Sequence, residues 1–123
     1  MLTIARTGVR DLPRACRFYD AIAHLLGARR TRDMPTSVCY QGATGVTFVV
    51  GLPLEGEATV GNGVQLGFAA MSRKLVDAVH AQALELGGKD EGAPGERAPG
   101  FYAAYFRDLD GNKLMIYHAG PAE

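Results

Sequence analysis

Residues 100–118 read GFYAAYFRDLDGNKLMIYH, and this stretch decides the fold. It contains two runs of aromatic and aliphatic residues, 101–107 and 113–118, each typical of a strand. Between them, Asp108-Leu109-Asp110-Gly111 forms a tight-turn sequence in which the glycine stands where a positive φ is needed. The stretch therefore predicts a β-hairpin near the end of the chain.

Two helices are predicted upstream of this hairpin, one in each half of the chain. The first has Asp11 as its N-cap and Pro13 in its first turn, and it ends near Gly27; the second runs from the cap Ser72 to Gly87-Gly88. Each carries one apolar stripe at helical spacing. The stripes are Leu12, Ala15, Cys16, Tyr19, Ile22, Ala23 and Leu26 in the first helix and Leu75, Val76, Val79, Ala83 and Leu86 in the second.

The pattern of strands and helix occurs twice in the chain. Predicted strands at 2–9, 37–41 and 45–51 surround the first helix, and predicted strands at 64–69, 101–107 and 113–118 surround the second. The caps Asp11 and Ser72 are 61 positions apart, and the hairpin glycines Gly45 and Gly111 are 66 apart. These offsets align Ile4 with Gln65 and Val49 with Met115. Because half a repeat cannot bury its own sheet face, we expect one domain, 1–123, made of two modules at about 1–53 and about 63–120.

Composition limits the classes of partner. The 123 residues carry zero formal net charge, which argues against binding to nucleic acid or to an anionic membrane. The two cysteines, Cys16 and Cys39, have no CxxC spacing, so neither a disulfide scaffold nor a zinc knuckle is expected. A reducing, cytoplasmic location fits this cysteine content. The uncharged stretch 34–54 contains prolines and glycines that would break a membrane-spanning helix.

The stretch GVRDLPRACRFYDAIAHLLGARR, residues 8–30, and the closing hairpin resemble the vicinal oxygen chelate superfamily of glyoxalase, bleomycin-resistance and extradiol-dioxygenase proteins. The family's hairpin usually reads Asp-Pro-Asp-Gly-Asn, and Leu109 replaces the proline here. The resemblance covers the whole chain and is closest to short bacterial members of unassigned activity. It implies an α+β fold of two tandem βαβββ modules forming a curved, cleft-enclosing mixed sheet with the helices on the outside.

The resemblance also implies a place for a metal. In the metal-dependent members a divalent ion acts as a Lewis acid, held by side chains from four cavity-facing strand positions. Those positions here are Ile4, Val49, Gln65 and Met115, of which three are apolar and one is a neutral amide. By strand alternation, Lys113 shares a face with Met115 and would oppose a cation. We therefore expect no cofactor, and a divalent metal is disfavoured.

Seven residues are predicted to contact a ligand in a pocket between the modules: Arg6, Thr47, Gln65, Arg97, Lys113, Met115 and Tyr117. Arg97 belongs to the Gly- and Pro-rich segment 91–100, which we interpret as a loop, either at the cavity mouth or simply in solvent. Arg6 has the alternative of reaching solvent or an internal carboxylate, and Gln65 that of bonding to backbone. A bulge would exchange the faces of Tyr102, Tyr105 and Phe106, so their orientation stays open.

The remaining reactive side chains are interpreted as structural. His24 falls on the polar face of the first helix and His80 borders the apolar stripe of the second. His118 shares a strand face with Leu114 and Ile116, which is expected to pack towards the helix. The two thiols have no sequence-adjacent base that would activate them.

Three functions follow from this reading. The first is a metal-free protein that binds a small, apolar or weakly anionic metabolite. The second is a lyase, isomerase or dioxygenase acting on a small carbonyl or diol, with Lys113 as a weak candidate for the base and Arg6 or Gln65 as stabiliser. The third is an assembly module with a vestigial pocket. A homodimer is expected because the modules leave edge strands.

Overall fold

The computed structural model describes residues 1–122 and divides the chain into two compact units. Unit 1 is Met1–Val60 and unit 2 begins at Gly61. Each unit has one helix and four strands. In unit 1 these are β1 Ile4–Gly8, α1 Leu12–Leu25, β2 Arg29–Asp33, β3 Ser37–Gln41 and β4 Thr47–Gly51. In unit 2 they are β5 Leu66–Ala69, α2 Arg73–Glu85, β6 Lys89–Ala98, β7 Phe101–Arg107 and β8 Lys113–Ala119.

The two units have the same topology. Their sheets have the orders β1-β4-β3-β2 and β5-β8-β7-β6, with the first pair parallel and the others antiparallel. Ala5 pairs with Phe48 in unit 1, and the offsets of 61 and 66 carry this pair onto Leu66 and Leu114, which are paired in unit 2. The predicted α+β fold of tandem βαβββ modules is therefore confirmed, together with the register of the repeat.

The helix ends are formed by the residues that the sequence indicates. The side chain of Asp11 accepts from the Arg14 amide at 3.1 Å, and that of Ser72 accepts from the Leu75 amide at 3.1 Å. Both N-caps satisfy amides that lack a partner within the helix. Beyond the helices, Gly27 and Gly87 have φ values of 71° and 101°, a region that favours glycine.

Each helix packs on one face of its own sheet. In unit 1 the ring of Tyr19 contacts Phe48 edge-on, with centroids 5.2 Å apart. In unit 2 the ring of Phe106 lies edge-on to His80, with centroids 6.4 Å apart. The side chains that are fully buried and largest are Val9, Phe18, Ile22, Val50, Val76, Val79, Phe106, Leu114 and Ile116.

The prediction of a loop at 91–100 is wrong, because most of this segment belongs to β6. β6 pairs with β7 through three register shifts, which accommodate Pro94 and the glycines in an edge strand. β2 was likewise not predicted as a separate strand. Its side chains are exposed, and its charged sequence RRTRD hides the alternation by which strands are recognised.

Asp20 and Arg30 tie α1 to β2. Both oxygens of the Asp20 carboxylate accept from the Arg30 guanidinium, at 2.7 and 2.8 Å, and the Tyr40 hydroxyl donates to Asp20 at 2.7 Å. This bidentate pairing lowers the pKa of Asp20. Burial and the hydrogen bond to Asp20 raise the pKa of Tyr40.

The substitution Asp20→Asn is expected to make the free energy of unfolding less dependent on pH under acidic conditions. A carboxyl whose pKa is lowered by folding adds stability above its unfolded pKa and loses it as the pH falls through the folded value. The wild-type chain should therefore lose stability more steeply than the variant as the pH falls below about 5. The urea midpoint at a series of pH values measures this. The control is Glu55→Gln, which replaces an exposed acid of the same unit. If the urea midpoint of Asp20→Asn fell with pH as steeply as that of the wild-type chain, the stabilising role of the Asp20 carboxylate would be contradicted.

No helix of residues 1–122 is long and apolar enough to cross a membrane.

Candidate ligand-binding face

α2 packs on one side of the unit 2 sheet, and within residues 61–122 no helix packs on the other side. Phe106 packs against His80 of α2, and the Tyr102 hydroxyl donates to Asp77 of α2 at 2.7 Å, so both point towards α2. Strand alternation then places Tyr105 on the opposite side. We call this side the helix-free face of unit 2. Its residues are Phe101, Ala103, Tyr105 and Arg107 of β7, Lys113, Met115 and Tyr117 of β8, and their cross-strand partners on β5 and β6.

A row of cations crosses one end of this face. Lys89 of β6 pairs with Arg107 of β7, which pairs with Lys113 of β8. Cross-strand partners share a face, so three positive side chains lie abreast. Glu91 accepts from Arg107 Nε at 2.6 Å, and this contact lowers the pKa of Glu91. We call Lys89, Arg107 and Lys113 the cation row. Its three positive charges outnumber the single negative charge of Glu91 beside it.

The next two rows are aromatic and apolar, with small residues at both edges. In the first, Tyr105 and Met115 pair between Gly92 and Gly67. In the second, Ala103 and Tyr117 lie between Gly95 and Ala69. A Cβ at position 67 would stand 2.8 Å from Met115 Cε, so the glycine leaves space for that side chain.

Two cations contact the ring of Tyr105. Lys113 Nζ and Arg97 Cζ each lie 5.5 Å from its centroid, within the range of a cation–π contact. The Arg97 guanidinium also donates to the Ala93 carbonyl at 2.6 Å. It lies over β6 where Gly92 and Gly95 have no side chain. Within residues 1–122, Lys113 forms no ion pair.

Five of the seven predicted contact residues thus lie on one face of unit 2: Gln65, Arg97, Lys113, Met115 and Tyr117. Gln65 is exposed, and its amide nitrogen lies 3.9 Å from the Met115 sulfur. Tyr117 stacks on Phe101 with ring centroids 5.4 Å apart. The sequence did not decide which way Tyr105 points. Because Phe106 faces α2, strand alternation places Tyr105 on the helix-free face of unit 2.

The other two, Arg6 and Thr47, lie in unit 1. Arg6 donates to the Leu52 carbonyl at 2.7 Å, and Thr47 accepts from the Gln41 amide at 2.7 Å. Arg6 thus contacts backbone rather than the carboxylate that was considered for it. Gln41 was not predicted as a site residue. It lies two residues from Cys39 on β3, so strand alternation places both side chains on the side of the unit 1 sheet opposite α1. A pocket between the modules stays a prediction.

The residues at the metal-ligand positions do not fit a divalent ion. Ile4 and Val49 have no donor atom, Met115 offers only a soft thioether, and Gln65 supplies a neutral amide. Within residues 1–122, no group of three or more histidine, cysteine or acidic side chains could hold a metal. Lys113, two residues from Met115 on the same face, adds a positive charge.

The histidines and thiols contact structural partners. His24 is exposed, while His80 is buried and its Nε2 lies 3.0 Å from Asp90, which ties α2 to β6. His118 Nδ1 lies 2.9 Å from the Ala70 carbonyl. Both thiols are free, and burial raises the pKa of Cys16, which disfavours the reactive thiolate.

A sequence profile described as the Glyoxalase/Bleomycin resistance protein/Dioxygenase superfamily matches residues 3–116. The chain belongs to this superfamily. It is similar to a glyoxalase/bleomycin resistance protein from Albidiferax ferrireducens, with 38% identity, a TM-score of 0.89, and coverage of 96% of this chain and 98% of that chain. Among curated proteins, no relative matches the chain.

Two other solved structures are similar in fold alone. A glyoxalase-related enzyme from Fulvimarina pelagi has 18% identity and a TM-score of 0.77, covering 96% of this chain and 87% of that chain. A lactoylglutathione lyase from Agrobacterium tumefaciens has 18% identity and a TM-score of 0.68, covering 96% and 92%. The superfamily hosts many chemistries, so the function has to be argued from the site.

Proposed function

We propose that this chain is a glyoxalase/bleomycin-resistance-like protein that binds a small organic metabolite, without a metal, on the helix-free face of unit 2. The observation that carries the proposal is the composition of that face. Small residues flank aromatic and thioether side chains, and polar groups stand at one end, a combination typical of ligand sites. The four metal-ligand positions contribute only a thioether and a neutral amide.

Metal-independent binding makes a direct prediction. The purified chain is expected to contain well under one equivalent of metal and to give no binding heat with zinc, nickel, manganese or iron(II), because two apolar side chains and one thioether, at Ile4, Val49 and Met115, cannot replace the water ligands of these ions. Elemental analysis and calorimetric titration measure this. One tightly bound ion per chain would overturn the assignment and bring a lyase or dioxygenase forward.

An enzymatic alternative rests on Lys113. Its ammonium lies on the candidate face without an ion pair in the described residues, and Gln65 shares that face as a hydrogen-bond donor. In its neutral amine form Lys113 could serve a metal-independent lyase or isomerase as the base, with Gln65 as the stabiliser. Loss of turnover in Lys113→Ala with ligand binding retained would favour this alternative. If no compound of a broad metabolite screen raised the melting temperature, an assembly role would be favoured instead.

We also propose that the chain forms a homodimer. β1, β2, β5 and β6 are the outer strands of the two sheets, and outer strands present backbone groups that can pair with another chain. Light scattering during size-exclusion chromatography measures the mass in solution.

A further inference from the structure

The cation row has fewer acidic partners than cations. Lys89, Arg107 and Lys113 lie abreast on neighbouring strands, and among residues 1–122 Glu91 is the acid that contacts the row, through Arg107. Like charges directly opposite each other on a sheet face are destabilising. The fold therefore carries a repulsion that an anion at this end of the face would relieve.

The two rows beyond the cation row suit a flat, unsaturated body. Residues i and i+2 of a strand are about 7 Å apart, so Tyr105 and Met115 lie one such spacing from the cation row. The Tyr105 ring, over which Lys113 and Arg97 lie, and the polarisable thioether of Met115 are contacts that favour an unsaturated group. At the edges of the same row, Gly67 leaves space that the Met115 side chain fills, and the Arg97 guanidinium lies where Gly92 has no side chain.

From this arrangement we infer that the ligand is an organic carboxylate with a planar, unsaturated body. This inference rests on the proposed function, whose ligand it specifies. The carboxylate binds at the cation row with Lys113 as a donor and with Arg97, whose guanidinium lies over the same Tyr105 ring as the Lys113 ammonium, as a second donor, and the body lies beside Tyr105 and Met115. A single negative charge is favoured because Glu91 stands beside Arg107 and repels a dianion.

A titration with matched probes tests the inference. The full-length chain is titrated with sodium cinnamate, cinnamamide, 3-cyclohexylpropanoate and inorganic phosphate, and amide NMR shifts are followed. Cinnamamide keeps the planar body without the charge, whereas the cyclohexyl compound keeps the charge without the planar body. Cinnamate is expected to bind at least about tenfold more tightly than cinnamamide, because a charge-assisted hydrogen bond is lost in the amide. The cyclohexyl compound and phosphate are also expected to bind more weakly, and the shifts to fall in β7 and β8.

Three variants connect the binding to the named side chains. Lys113→Gln and Arg97→Gln are each expected to weaken cinnamate binding by about tenfold. Lys74→Gln, the same change of charge on an exposed position of α2, is expected to leave it unchanged. Lys113→Gln should melt at or above the wild-type temperature, since it removes a like charge opposite Arg107. If it melts lower, the exposed Arg97→Gln variant decides the result.

The outcomes separate this inference from the proposed function. Equal binding of cinnamate and cinnamamide overturns the anionic ligand while leaving small-molecule binding intact. If a neutral compound binds on this face and cinnamate does not, the anionic ligand is likewise overturned and small-molecule binding remains. If phosphate binds as tightly as cinnamate, the inference that the ligand is a carboxylate is overturned. If neither the probes nor a broad metabolite collection binds, both the inference and the proposed function fail.

Discussion

Phe106→Ala is expected to lower the free energy of unfolding by about 3–5 kcal/mol. Phe106 is fully buried between β7 and α2, where its ring meets His80 edge-on. Truncation removes the apolar contacts and leaves a cavity that the sheet and helix cannot close, because their spacing is set by the surrounding side chains. Urea denaturation followed by circular dichroism measures the loss.

Phe101→Ala is the matched control, because it makes the same chemical change on the other face of the same strand. Phe101 is half-buried and stacks on Tyr117. Its truncation is expected to cost about 1 kcal/mol, since the position borders solvent and a cavity does not form. Equal losses in the two variants would contradict the assignment of faces on β7, and with it the placement of Tyr105 at the candidate site.

Asp108→Ala is expected to cost about 2–4 kcal/mol, because it leaves buried donors without their acceptor. Asp108 is buried, and one of its oxygens accepts from the amides of Asp110 and Asn112, each at 2.9 Å. The other oxygen accepts from the Asn112 side chain at 2.9 Å. The turn joins Arg107 to Lys113, so disorder here would also weaken binding of an anion. Thermal and urea unfolding measure the stability, and the cinnamate titration measures the binding.

Asp108→Asn is the control for the turn. Its side-chain oxygen can still accept from the two amides, so it is expected to retain more than half of the stability that alanine loses. Equal losses would mean that the backbone amides of Asp110 and Asn112 are not what Asp108 stabilises.

Gly111 and the two N-caps show why the fold could be read from the sequence. A positive φ at Gly111, an Asp or Ser that accepts from an amide three residues on, and an apolar stripe are properties of short segments. The caps recur at an offset of 61 and the hairpin glycines at an offset of 66, and these offsets predicted which residues of the two units are equivalent; the pairs Ala5–Phe48 and Leu66–Leu114 agree with them. Local signals and an internal repeat were sufficient for these features.

β6 shows where the local signals failed. The segment 91–100 has the glycines and prolines of a loop, yet β7 provides a pairing partner along almost its whole length, and three register shifts accommodate the irregular residues. Backbone hydrogen bonds to the next strand along the chain outweigh weak local preferences, and the composition of a segment does not show whether a neighbouring strand pairs with it. Arg97 therefore lies on a strand beside Tyr105 rather than in a loop.

The sequence by itself determined the family fold, the repeat register and the mismatch at the metal-ligand positions, since each depends on residue identity at known spacing. Only the tertiary structure decided which face Tyr105 takes and which charges meet. The register of β6 on β7, added to the β7-β8 hairpin, brings Lys89 into one row with Arg107 and Lys113. Charge proximity across strands depends on register and bulges, which arise from packing of the whole sheet.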